Sequence, residues 1–308
     1  MDLELSDDQL ALRDGIAAML EARIPIERVR SGFDRAMFDE LGEAGVFSLR
    51  ADGFSWADCV VVFEQLGRAC VPGPLVTSLL LGDGRIAETV NRLPPIWIEH
   101  LDLLDVLLVA DGAGCQAVDP KSVEATPSPW PLDPATPVWR AERVPEGQRI
   151  DFNASSRDPA GTALTAALQL GLADRLTELA VAYAKERVQF DRPIGSFQAV
   201  KHMLADMLTR TEVARAAVYS AGTALDEETP AATQRRLVYG AKLVAGEAAI
   251  ANGKAATQVF GGMGFTWEVD VHLYLKRAWV LDTHYESADG NAALVCATAG
   301  DPRIWGES

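Results

Sequence analysis

The sequence predicts a mainly helical protein with a reduced β-rich insert between two helical domains. Three observations carry this expectation. Apolar residues recur at helical spacing over residues 1–98 and again over 158–308. Between them, Pro127, Pro129, Pro131, Pro134 and Pro137 crowd one stretch, and proline in a helix interior removes a donor and clashes with the preceding turn. The same middle region, 99–157, holds short apolar runs bounded by turn residues, the pattern of strands.

The elements follow in chain order. Ser6 precedes Asp7 and Asp8 and can cap a first helix carrying Leu10, Leu12, Ile16 and Met19. A second helical pattern runs from Phe38 through Leu41 and a third from Trp56 to about Cys70, with Gly67 near its end and Pro72-Gly73-Pro74 stopping it. Val106 to Ala110 reads as a strand followed by the turn dipeptide Asp111-Gly112, and Val138 to Ala141 as another. Leu164 to Val188 is rich in alanine and leucine and reads as a long helix. Ser196 can cap the next helix, which presents Phe197, Val200, Leu204, Met207 and Leu208. Thr229-Pro230 reads as a cap followed by proline at the first helical position, opening a helix with Leu237, Ala241, Val244 and Ala248 on one face.

Composition narrows the function classes. The chain has 308 residues, 48% of them hydrophobic, enough to bury a sizeable core. The net charge is −16, from 44 acidic against 28 basic residues, which argues against nucleic acid or an anionic membrane as a general partner. Leu101 to Ala110 is broken by Asp102 and Asp105, and no apolar run reaches the roughly 18 residues of a membrane span. The first residues are acidic rather than basic, so no secretory signal is expected, and the cytoplasm is the expected compartment. Cys59, Cys70, Cys115 and Cys296 show no C-x-x-C spacing and read as structural thiols, and with four histidines no metal centre is expected.

Two segments go beyond pattern. One runs Arg187-Val188-Gln189-Phe190-Asp191-Arg192-Pro193-Ile194-Gly195-Ser196-Phe197-Gln198, and the other Gln258-Val259-Phe260-Gly261-Gly262-Met263-Gly264-Phe265. Arginine offers a planar, permanent cation suited to phosphate oxygens. The amides of Gln198 and Gln258 both donate and accept, and the pair Gly261-Gly262 lets backbone approach a ligand closely. In this order the segments resemble the two C-terminal signatures of acyl-CoA dehydrogenases, and Leu66-Gly67-Arg68 also looks like that family.

The resemblance implies an N-terminal helical domain, a β domain and a C-terminal four-helix bundle. It implies FAD as cofactor and an acyl-CoA thioester as substrate. Arg187, Gln198, Gln258, Gly261 and Gly262 are then expected to contact an FAD held mainly by a neighbouring subunit. The family's catalytic glutamate usually stands in a Tyr-Glu-Gly-Thr segment, where an ungapped count falls on Tyr285, with Glu286 one residue later. In some members the glutamate comes from an earlier helix, where the count falls on Asp226. Glu286 and Asp226 are thus the candidate bases, with a solvated helix end as the plainer reading of Asp226.

The sequence departs from the family in three ways. The insert is shorter than the family's β domain and lacks its Thr-Glu-Pro-like stretch, Ser287-Ala288-Asp289 replaces Gly-Thr, and Asp191 stands where glycine is usual. These departures resemble the partner chain of heterotetrameric acyl-CoA dehydrogenases acting on steroid side chains. The implied role is a subunit with little or no catalytic machinery of its own, working in an α2β2 assembly with a longer homologous chain. Two other readings stay open: an assembly subunit that binds no flavin, and a self-sufficient dehydrogenase using Glu286.

Overall fold

The computed structural model describes residues 4–111 and 114–299. The chain opens with five helices: α1 (Asp7–Arg23), α2 (Ile26–Arg30), α3 (Arg35–Glu43), α4 (Trp56–Arg68) and α5 (Leu75–Leu81). Ser6 caps α1 as expected, in a reciprocal capping box with Gln9, and Ser55 with Asp58 does the same for α4. Cys59 to Leu66 of α4 are all buried, because this helix packs against others on several sides.

The helical reading of 1–98 ends at Leu81. Two strands, β1 (Ala87–Asn91) and β2 (Ile96–Glu99), already belong to the β region. They were illegible as strands because each is short and owes its stability to partners far along the chain. The region continues with β3 (Val106–Asp111), β4 (Gly114–Val118), β5 (Ala125–Pro127), β6 (Val138–Ala141) and β7 (Gln148–Ile150). One sheet has the order β1-β3-β4-β7, with β1 parallel to β3 and the other pairs antiparallel. The second, β2-β6-β5, is antiparallel throughout. Val106 to Val109 are all buried, as a strand covered on both faces requires. In β2, Ile96 and Ile98 point inward while Trp97 points out, the two-residue alternation of a half-covered strand. The turn residue Gly112 lies outside the described residues.

The C-terminal half is built on three long helices, α6 (Pro159–Glu186), α7 (Gln198–Asp226) and α8 (Ala231–Phe260). A small hairpin, β8 (Val188–Gln189) with β9 (Arg192–Pro193), links α6 to α7. Helices α9 (Val271–Asp282) and α10 (Ala288–Ala299) pack on α8 and complete the bundle. Two expected caps are displaced. Phe197 and Pro230 hold the N-cap positions of α7 and α8, neither with a side-chain cap. Ser196 sits in the preceding 3₁₀ turn with its hydroxyl buried and unpartnered, and Thr229 lies one residue before Pro230.

Gly67 does not end a helix by left-handed geometry. A Cβ there would stand 2.1 Å from the Leu168 carbonyl oxygen, and one on Gly171 2.0 Å from that of Glu64. The two glycines let α4 and α6 touch backbone to backbone. Inside the bundle Asn252 of α8 donates to Thr211 Oγ1 at 3.0 Å and the Met207 carbonyl at 3.1 Å on α7, and to Thr177 Oγ1 at 3.2 Å on α6. All three of these polar side chains are buried, and the Asn252 NH2 finds acceptors there while its amide oxygen has no partner among the described residues. Cys59, Cys70 and Cys115 are buried and free, whereas Cys296 is exposed. Burial pushes the Cys59 and Cys70 thiols up to about 12, so neither is a reactive thiolate. Among the described residues no helix is long and apolar enough to cross a membrane, and no cluster could hold a metal ion.

Candidate functional site

The residues expected to meet a cofactor lie at one end of the bundle. Arg187 is the C-cap of α6 and Gln198 the first residue of α7. The connection folds back on itself, since Ile194 donates its N–H to the Arg187 carbonyl at 2.8 Å. Helix α8 reaches the same end through a stack of Phe260 on Tyr183 of α6, ring centroids 4.1 Å apart. Gln258 stands two residues before that stack and Gly261 caps the helix. Gly261 has φ +61, a conformation glycine takes freely, and the space around Gly262 is open.

Arg187, Gln198 and Gln258 are exposed, and none of their side chains has a hydrogen-bond or ion-pair partner among the described residues. A free guanidinium, two free amides and a glycine-bared backbone form a donor set that suits phosphate oxygens. Exposed apolar side chains accompany it: Phe190 is 85% and Phe265 82% exposed. Phe190 and Asp191 both have positive φ, at 53° and 62°. That gives the glycine usual at the position of Asp191 a physical reason, since a side chain there is strained and aspartate tolerates it better than most.

A second feature lies between the domains. A cavity of about 810 Å³ opens between α5, the strands β1 to β3, the start of α6 and the segment after α9. Val76, Val90, Ile96, Phe152 and Leu281 contribute apolar wall. Glu88, Glu99, His284, Tyr285 and Thr77 contribute polar wall. His284 Nε2 stands 3.0 Å from Glu99 Oε1. Burial disfavours the charged imidazolium, but the Glu99 carboxylate, by charge and hydrogen bond, holds His284 above its ordinary value. Burial likewise opposes the Glu99 carboxylate, and the facing imidazole outweighs it and holds Glu99 below the usual range. Glu88 has no such partner: burial first, then the neighbouring Glu99 charge, pushes it up to about 7. The cluster escaped sequence reading because its members come from positions 77, 88, 99 and 284–285, far apart along the chain.

The two candidate bases stand elsewhere. Glu286 turns away from this wall and accepts from Arg157 Nε and Ser156 Oγ, each at 3.0 Å. Tyr285, where the ungapped count falls, lines the cavity in its place. Both have positive φ, at 49° and 72°, and Asn291 Nδ2 fixes the turn by donating to the carbonyls of Tyr285, Glu286 and Ser287. Asp226 is more than a solvated helix end. Its carboxylate accepts from the N–H groups of Trp56 and Ala57 at 2.8 and 2.9 Å, so it holds the start of α4.

Residues 160–285 match the model of the acyl-CoA dehydrogenase C-terminal domain. Over a wider span, the acyl-CoA dehydrogenase IpdE2 of Mycolicibacterium smegmatis is 34% identical, across 89% of this chain and 93% of its own length. The chain belongs to the acyl-CoA dehydrogenase family. IpdE2 of Mycobacterium tuberculosis is 32% identical over 88% of this chain and 91% of its own length. FadE34 of M. tuberculosis is 31% identical over 89% of this chain but only 45% of itself, so it is a much longer relative.

Among solved structures, a chain of the ChsE4-ChsE5 complex from M. tuberculosis superposes with a TM-score of 0.80 at 19% identity, covering 98% of this chain and 99% of that one. A glutaryl-CoA dehydrogenase from M. smegmatis, solved in complex with FADH2, superposes at 0.79 and 16% identity over 96% of each chain. These likenesses establish the acyl-CoA dehydrogenase fold: helical domain, small sheets, helical bundle. Family membership makes the chain an oxidoreductase of the acyl-CoA dehydrogenase type. FAD is the family's cofactor, and the unpaired donors at the bundle end fit its pyrophosphate.

Proposed function

We propose that this chain is one subunit of a flavin-dependent acyl-CoA dehydrogenase, completing an FAD site across an interface with a longer homologous chain. The observation that carries the reading is the donor set of Arg187, Gln198 and Gln258, free of partners and exposed beside the open backbone of Gly261 and Gly262. A guanidinium with no partner of its own is available to an anion brought by another chain. The exposed Phe190 and Phe265 give the same end an apolar surface for that chain to cover.

Bound FAD supplies the electron sink for oxidation of a thioester between its α and β carbons. This chain's part is to hold one end of it: Arg187 pairs with phosphate oxygens, while Gln198 and Gln258 orient the neighbouring groups. The insert supports a partner-dependent role, since its longest strand has six residues, a small frame for a flavin ring. The base is assigned to the longer chain, because Glu286 and Asp226 are both engaged in fixing this chain's own turns. A bulky polycyclic acyl group is the substrate expected from the sequence resemblance, and an α2β2 assembly in the cytoplasm is the expected setting.

The test is purification of the chain alone and together with its longer partner. The chain alone should be colourless and inactive, and the mixture yellow and active on an acyl-CoA thioester. Steady turnover by the chain alone would refute the subunit reading, and activity on free acids but not thioesters would refute the substrate.

A further inference from the structure

Glu99 and His284, which line the large cavity, also line a second and much smaller one of about 20 Å³. Its wall takes Cys70 and Val71 from the N-terminal helices, Thr136 from the β region beside Glu99, and Arg277 of α9 beside His284. The three domains therefore meet around it. A water molecule needs roughly 10–15 Å³ and about two to four polar partners, so the space admits about one.

Arg277 is 5% exposed, and two of its three nitrogens are engaged. Nε donates to Asp133, and Nη1 to the Val71 carbonyl at 2.8 Å. Nη2 is buried with no partner among the described residues, a costly state for a donor on a charged group. Glu99 can supply the acceptor. Its Oε1 stands 3.0 Å from His284 Nε2, which leaves the second oxygen of the carboxylate to accept. Burial opposes the Glu99 charge, His284 outweighs burial, and Arg277 adds to the lowering. The guanidinium is thus within electrostatic reach of Glu99. Yet among the described residues the ion pair of Arg277 is with Asp133 and that of Glu99 is with His284. Arg277 and Glu99 attract each other and both line the small cavity, without touching.

The charges at this junction balance, Arg277 with Asp133 and His284 with Glu99. A further ion would leave one charge unmatched in a buried place, whereas a neutral molecule that both donates and accepts meets both needs. We infer that the small cavity is a site for one structural water, which accepts from Arg277 Nη2 and donates to Glu99, making Arg277 a positioning residue for the Glu99–His284 pair. Thr136 is 3% exposed and donates its hydroxyl to Asp133 at 3.1 Å. Its oxygen keeps a lone pair for the second proton of the water. One chain of hydrogen bonds, from Asp133 through Arg277, the water and Glu99 to His284, then joins the contact between the domains to the wall of the large cavity.

High-resolution diffraction from crystals of the full chain, some soaked in sodium bromide, tests the site itself. One water should stand within hydrogen-bond distance of both Arg277 Nη2 and Glu99. A direct Arg277–Glu99 contact, a space without density between ordered side chains, or an anomalous bromide signal there overturns the inference. Val71→Ile tests the positioning, because it adds a methylene to the wall of the small cavity. Filling a dry apolar void stabilises a protein, whereas expelling a water that serves two charged groups leaves them unpaired. The thermal midpoint should therefore fall, by about 2 °C or more. The Glu99 carboxyl, followed by its carbon NMR resonance, should titrate at higher pH, since loss of a donor disfavours the charged form. The other groups that face Glu99 are His284, His100, Arg277 and Glu88, and the substitution replaces none of them. A raised midpoint, or an unmoved Glu99 titration, overturns the positioning role. If the variant does not fold, diffraction from the unaltered chain decides.

Discussion

Arg277 of α9 donates to Asp133 in the β region through Nε, and to the Val71 carbonyl of the N-terminal helices at 2.8 Å through Nη1. One buried guanidinium thus ties the three domains together, directly beside the Glu99–His284 wall of the cavity. Burial opposes its charge, but Asp133 outweighs burial and holds it above the ordinary arginine value. Asp133 also accepts from the Ala135 N–H at 3.0 Å and the Thr136 hydroxyl at 3.1 Å.

Asp133→Ala is expected to destabilise the chain by about 3–5 kcal/mol, the usual cost of leaving a buried charge without its partner. Denaturant unfolding measures it. A loss below about 1 kcal/mol, the scale of an exposed pair, would show that the clamp does not hold the domains.

Asp226 predicts a graded pair of outcomes. Asp226→Ala removes the acceptor for two N–H groups at the start of α4 and should cost about 1 kcal/mol, within the range of helix-cap losses. Asp226→Asn should also destabilise, because asparagine keeps one acceptor oxygen and turns its NH2 towards the second N–H. Flavin content and turnover of the assembled enzyme should be unchanged in both.

Much of this architecture was legible from sequence where the cause is local. The cap at Ser6, the long helices and the order of helices, strands and helices follow from spacing and side-chain chemistry within one segment. Arg187 and Gln198 stand at the two ends of the connection between α6 and α7, so their placement is set within one stretch of chain. What stayed hidden depends on pairs distant in sequence. Asp226 caps a helix that begins at Trp56, β1 is a strand only beside β3, and Glu88, Glu99 and His284 meet only once three domains have docked. Ser196 and Thr229 carry the right chemistry for caps, but the backbone on either side sets the helix start elsewhere.

Glu286 yields a kinetic prediction. Its carboxylate is engaged by Arg157 and Ser156. Glu286→Gln, made in the assembled enzyme with flavin content checked first, should lower turnover less than tenfold. Removal of a positioned acid–base group typically costs about 10²–10⁴-fold, and a loss of that size at full flavin occupancy would make Glu286 the base and this chain the catalytic one.

The cavity wall makes stability depend on pH with a definite sign. Glu88 rises from an ordinary 4.5 to about 7 on folding, so over that interval the folded chain binds more protons than the unfolded one. Stability should therefore fall as pH rises from about 4.5 to about 7. His284, also raised, adds stability that is lost as pH climbs through its folded value. Glu99, lowered, contributes the opposite way, and its share is lost only in acid. Thermal unfolding across this range should show the decline, and Glu88→Gln should flatten it.

Phe190-Asp191 offers a test of backbone strain. Asp191 has φ +62, so Asp191→Gly should stabilise the hairpin or leave it unchanged, by at most about 1 kcal/mol, although glycine gives back some of the gain as unfolded-state entropy. Destabilisation beyond that would mean that the Asp191 side chain makes a contact in the assembly.

The flavin affinity of the assembled enzyme carrying Arg187→Ala tests the account most directly, because Arg187 is the free cation on which the shared site rests. Loss of a charge-assisted contact worth about 1.5–3 kcal/mol should weaken FAD binding by roughly tenfold to a hundredfold, with the chain still folded and still bound to its partner. An unchanged dissociation constant and full flavin occupancy would contradict the claim that this chain completes the FAD site.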